Sequence, residues 1–150
     1  MEEAYKLDKG QVGIAGEFYA LAELAGLGYN SLRCLKNNPV YDIMAYDDNK
    51  NEATLFQVKT SRPGYSSWSI GAERCRENDI KPLFYIFVKL KKPGYRPDFY
   101  IVPYKIIKQY IANHMRKLDV KEYKDLPSPH IQWRDNVDNY FERWDLIKNN

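Results

Sequence analysis

Three polar side chains on two neighbouring extended segments are the groups in this sequence best suited to chemistry. Val40-Tyr41-Asp42-Ile43-Met44 carries an aspartate near the start of one segment. Leu55-Phe56-Gln57-Val58-Lys59-Thr60 carries a glutamine and a lysine two residues apart on the next. Side chains alternate faces along a strand, so Gln57 and Lys59 point the same way while Phe56 and Val58 face the core. Such groups are costly to bury unless they satisfy one another or surround a metal ion. The plain alternative is a partly solvated strand face, with Lys59 exposed, Gln57 hydrogen-bonded nearby and Asp42 a turn residue.

The elements that must position these groups follow from periodicity. Asp47-Asp48-Asn49-Lys50-Asn51 is a turn cluster, so residues 41–46 and 54–60 are expected to pair as a hairpin. Upstream, residues 11–27 keep Val12, Ala15, Phe18, Tyr19 and Ala22 close to helical spacing, and Gly26 and Gly28 end the helix. Glu17 lies on that helix. Residues 29–35 read as a first strand, followed by the turn Asn37-Asn38-Pro39. Residues 83–90 are almost continuously apolar, as in a central strand buried on both faces. Residues 98–102 read as a last strand and residues 104–115 as a helix. Residues 136–147 space Val137, Tyr140, Phe141, Trp144 and Ile147 on one helical face. A helix feeding strands, with helices after them, implies one α/β domain over residues 1–150 with a central mixed sheet.

At this point the sequence resembles the PD-(D/E)XK, or restriction-endonuclease-like, nuclease superfamily. The resemblance covers residues 11–61 and rests on Asp42, on Gln57-Val58-Lys59 and on Glu17 in Gly13-Ile14-Ala15-Gly16-Glu17-Phe18. The family pattern is an aspartate at the start of one strand and Asp/Glu-x-Lys on the adjacent strand, often with an acidic residue on the preceding helix. The departure is Gln57, where an acid is commonest. The Gln-x-Lys variant occurs in modification-dependent restriction enzymes and some homing endonucleases, and it lowers the negative charge of the site by one. The resemblance implies a metal-dependent DNA endonuclease that hydrolyses phosphodiester bonds with metal-activated water. It implies Mg²⁺, with Mn²⁺ able to replace it, held by Asp42, Gln57, the Val58 carbonyl and Glu17. Lys59 would position or deprotonate the water and stabilise the charged transition state. A catalytically inactive module of the same fold, binding nucleic acid or a partner protein, is the alternative it leaves open.

Composition bounds these expectations. Hydrophobic residues make up 44% and charged residues 29% of the chain, an ordinary globular balance. The net charge of +3 is compatible with DNA as a partner and does not demand it. Aromatic residues make up 15%, with 13 tyrosines, which suits base stacking or a subunit interface. Ser61, Arg62, Tyr65, Trp68, Lys91 and Lys92 are candidate nucleic-acid contacts beside the lysine-bearing strand. Arg74, Arg76 and Lys81, interleaved with Glu77 and Asp79, read as a solvated helix face. Cutting two strands favours a homodimer or higher homo-oligomer. Cys34 and Cys75 lack zinc-site spacing, and His114 and His130 lack companions at ligand spacing. The longest apolar run is too short to cross a bilayer, and the first residues are polar, so a cytoplasmic protein is expected.

Overall fold

The computed structural model describes residues 6–34, 41–71, 84–127, 130–133 and 137–149. The turn at residues 37–39, the charged group at residues 74–81 and Cys75 lie outside the described residues. Helix α1 (Lys9–Gly26) begins with a capping box: Asp8 accepts from the Gln11 N–H at 2.8 Å, and the Gln11 side chain accepts from the Asp8 N–H at 2.9 Å. Its buried stripe is Val12, Gly16, Ala20 and Leu24. The sequence-based stripe is therefore corrected: Phe18 and Tyr19 are 55% and 41% exposed. The physical reason is close approach. A Cβ placed on Gly16 would lie 1.8 Å from Thr60 Oγ1, so the helix rests backbone-first on the strand below.

Strands β1 (Asn30–Arg33), β2 (Ile43–Asp47), β3 (Glu52–Ser61), β4 (Trp68–Gly71), β5 (Phe84–Lys89), β6 (Asp98–Pro103) and β7 (His130–Trp133) form two sheets. The larger has the order β1-β2-β3-β5-β6, and the smaller pairs β4 with β7. All pairs are antiparallel except β3 with β5, which run parallel. This is the mixed α/β sheet that the periodicity predicted. The segment containing Trp68 is strand β4, which the periodicity did not predict. Helix α2 (Tyr104–Lys117) follows β6 directly, with Tyr104, Ile107, Ile111 and Met115 buried.

Alternation along the central strands divides the core. Phe56, Val58, Phe84, Ile86 and Val88 pack with α1. Tyr85 and Phe87 point the other way, into a cluster with Trp68, Trp133 and the buried face of α2. Residues 137–149 serve both halves. Val137 and Tyr140 pack in the α2 layer, whereas Trp144 and Ile147 enter the α1 layer. A single helix has one apolar face and cannot fill two opposed cores. The tail is accordingly a 3-10 turn (Val137–Tyr140), a crossing at Phe141 and Glu142, and a short helix α3 (Asp145–Lys148), not the continuous helix its spacing suggested. Glu142 takes a left-handed φ of 52°, and its N–H donates to the Phe99 carbonyl at 2.9 Å as the chain rounds the β6 edge. Trp133 and Trp144 are core residues, 2% and 9% exposed.

Candidate active site

The β2–β3 ladder slips by one residue near its open end. Ile43 pairs with Phe56, yet the Asp42 N–H also reaches the Phe56 carbonyl at 2.8 Å. Two residues thus face one, and β2 bends there. The Asp42 carboxylate takes the place of a ladder acceptor: its Oδ2 receives the Val58 N–H at 2.8 Å and the Gln57 Nε2 at 2.6 Å. Gln57 is 3% exposed and is one of only two buried polar residues among those described. The buried amide is therefore satisfied by the carboxylate that the sequence paired with it.

Glu17 reaches the same locality from α1, the layer opposite to Gln57. Asp42, just past the end of the β2–β3 ladder, is the group in common: it is bonded to Gln57, and its charge acts on Glu17. Glu17 is bonded to Arg33 of β1, whose guanidinium lies 5.2 Å from the Phe18 ring centroid. Burial lifts the Glu17 carboxyl above its ordinary value, the Arg33 bond opposes this, and the nearby Asp42 charge adds to it. Cys34 borders the same groups. Burial raises its thiol, as do the charges of Asp42 and Glu17, and its N–H donates to the Asp42 carbonyl at 2.8 Å. Sequence reasoning did not single out Arg33, and only its place on a strand beside the helix could have drawn attention to it.

Lys59 follows on the same face of β3 as Gln57, half-buried and paired in register with Phe87. The parallel strands β3 and β5 end together, so the loops after them adjoin. The Leu90 N–H donates to the Ser61 carbonyl at 3.1 Å, and Lys89 Nζ donates to Ser66 Oγ at 2.8 Å. Arg62, exposed, and Tyr65, 63% exposed, stand on this rim with Lys92 and Tyr95, which stack at 5.1 Å. Lys91 is paired with Asp98 at 2.8 Å.

Two candidate contacts are corrected. Trp68 is 2% exposed and donates its indole N–H to the Val88 carbonyl, so it packs the core and offers no face to a base. Ser61 is 6% exposed and donates its hydroxyl to the Tyr65 carbonyl, so it shapes the loop and does not meet a phosphate.

The donor set suits a hard divalent cation. Two carboxylates, Glu17 and Asp42, sit close enough to disfavour each other's charge, and a cation would relieve that repulsion. The Gln57 amide turned by half a rotation presents its oxygen. The Val58 carbonyl lies on the same edge of β3 as the N–H bonded to Asp42. Among the described residues no three His, Cys, Asp or Glu side chains gather as a metal cluster. Amide and carbonyl oxygens would have to complete the shell, and Mg²⁺, which keeps several waters, needs few protein ligands.

The Glu17 environment has a testable signature. Its folded-state pKa lies above its unfolded one, so the folded chain binds that proton more tightly. Stability from this group is therefore lost as pH rises from the usual carboxylate range through the raised value, and the penalty persists at neutral pH. Glu17→Gln is expected to raise Tm at pH 7 and to make little difference well below pH 4. Calorimetry across that range checks it, and a difference in Tm that shrinks as pH rises would contradict the placement.

No family model matches the chain, and no curated protein matches it. Solved structures do. A bacterial homing endonuclease is 17% identical with a TM-score of 0.58, covering 96% of this chain and 94% of its own. The Holliday junction resolvase of the archaeal hyperthermophile Archaeoglobus fulgidus is 12% identical with a TM-score of 0.52, covering 91% of this chain and 95% of its own. At these identities the likeness establishes the fold, over nearly the full length of both chains.

Proposed function

We propose that this chain is a metal-dependent DNA endonuclease that uses Glu17, Asp42, Gln57 and Lys59 on the fold it has in common with two nucleases. The observation that carries the reading is the Asp42 carboxylate bound to Gln57 and to the Val58 N–H, with the charge of Glu17 beside it. Asp42, Glu17, the Gln57 amide oxygen and the Val58 carbonyl would hold Mg²⁺ or Mn²⁺. The bound ion supplies charge neutralisation at the scissile phosphate and acidifies water. Lys59 orients the attacking water and compensates the charge that grows on the phosphate oxygens. Arg62, Tyr65, Lys92 and Tyr95 form a basic and aromatic rim suited to the nucleic-acid backbone. A homodimer would bring two such sites to the two strands of a duplex.

One observation favours the second reading, a binding module on the same fold. Gln57 satisfies Asp42 with no metal needed, as it would in a site that had lost its chemistry. Supercoiled plasmid separates the two. The endonuclease reading predicts nicking with Mg²⁺ or Mn²⁺ and none in EDTA. Absence of nicking together with salt-dependent DNA binding would establish the module instead.

A further inference from the structure

We propose that Arg33 is an internal counter-ion that Glu17 exchanges for the divalent cation, and that the guanidinium so released binds a phosphate of the nucleic acid. The inference rests on the endonuclease reading and goes beyond it. Arg33 belongs to β1, an edge strand, and lies on the α1 side of the sheet together with Ile43 and Phe56, its neighbours in register. Its Nε donates to Glu17 Oε2, and the two side chains are 27% and 20% exposed. The pair is thus near solvent but not immersed in it. The flat guanidinium also lies over Phe18, a ring that would otherwise stand in water on the exposed side of α1. Arg33 therefore has two anchors, one ionic and one aromatic, and only the ionic one competes with a cation.

The charge balance gives the direction of exchange. Without a cation, Glu17 and Asp42 are two carboxylates in one locality, and Arg33 is the positive group bonded to the first of them. A divalent ion held by the two carboxylates would neutralise two negative charges, where the guanidinium neutralises one. Glu17 would then turn to the ion and leave Arg33 without its carboxylate acceptor. Phe18 keeps the side chain at the rim, where its fork of N–H donors fits phosphate oxygens. Anion binding at this position is in this way conditional on the cation.

The exchange makes opposite demands on two measurements. Mn²⁺ binding is followed by calorimetric titration and by the rise in Tm it causes. Removing the competitor, as Arg33→Ala or Arg33→Gln, is expected to tighten Mn²⁺ by about three- to fivefold, the range of a partly exposed ion pair. DNA binding is followed against salt, once in EDTA and once in Ca²⁺. With Ca²⁺ the substituted chains should lose about one unit of the salt slope, and in EDTA they should match wild type. Arg33→Lys keeps the charge without the fork and should fall between. Weaker Mn²⁺ binding by both neutral variants would make Arg33 a mere support for Glu17 and overturn the exchange. So would a salt slope equally reduced with and without Ca²⁺, or unchanged in both. If wild type itself binds no Mn²⁺, the endonuclease reading fails and the exchange fails with it. If wild type binds Mn²⁺ and nicks plasmid while Arg33 variants behave as wild type, only the exchange fails.

Discussion

Lys59→Ala is expected to slow plasmid nicking by at least about 10²-fold, and by as much as about 10⁴-fold, the range in which a positioned proton-transfer or charge-stabilising group acts. DNA binding in Ca²⁺ should remain within about tenfold, because in the proposed reading the basic rim would supply most of the sequence-independent attraction. The separation of effects is the diagnostic part. Lys59 shares a strand face with Gln57, itself bonded to Asp42 at 2.6 Å, and in the proposed mechanism its charge would act on the transition state more than on ground-state affinity. Single-turnover nicking with excess protein reads the chemical step without product release. A Lys59→Ala chain that folds, binds DNA and nicks at the wild-type rate would remove the lysine from the mechanism and leave the proposed chemistry without its cation at the water.

The second large effect is on stability. Alanine normally improves on glycine inside a helix by about 1 kcal/mol. At Gly16 the sign should reverse. A Cβ there would meet Thr60 Oγ1 at 1.8 Å and Thr60 Cβ and Cγ2 at 2.8 Å, distances that force α1 away from β3. Gly16→Ala is expected to cost about 2–3 kcal/mol, the range of overpacked cores, and to lower Tm by about 5–10 °C. Gly13, three residues earlier on the same helix, has no atom within 4 Å of a Cβ so placed. Gly13→Ala should therefore be neutral or stabilising. Adding Thr60→Ala to Gly16→Ala removes the two γ atoms and should recover part of the loss, a coupling that a double-mutant cycle measures. Because Glu17 follows Gly16 directly, the same shift should also impair nicking. Equal and opposite behaviour, with Gly16→Ala as stable as wild type, would mean that the helix does not sit on Thr60 as described.

What the sequence made legible was what periodicity encodes. The turn cluster at residues 47–51 announces the β2–β3 hairpin, and the apolar run after residue 83 announces β5. Asp42 and Gln57 could be paired in advance because both lie on one hairpin, where register is local. Arg33 could not, since its bond to Glu17 links a helix to a strand sixteen residues on, and no spacing rule connects them. Small residues misled in α1: Gly16 and Ala20 make the contact, and the larger Phe18 and Tyr19 drew the stripe to the wrong side. Trp68 sits among Ser66, Ser67 and Ser69, a composition that reads as loop. Only its pairing with Trp133, more than sixty residues later, makes it a strand. The tail failed for a related reason. Aromatic residues at helical intervals do imply burial, yet burial in two separate cores satisfies the same pattern.

The double duty of the Asp42 oxygen bears on how this chain could have changed over evolutionary time. An oxygen that closes the backbone at Val58 and holds the Gln57 amide serves the fold, whether or not any reaction survives. Descendants stripped of catalysis would still tend to keep an aspartate there. Conservation of that aspartate would therefore report the fold before it reports any reaction. In comparing lineages, an aspartate at 42 would then be a poor marker of surviving activity.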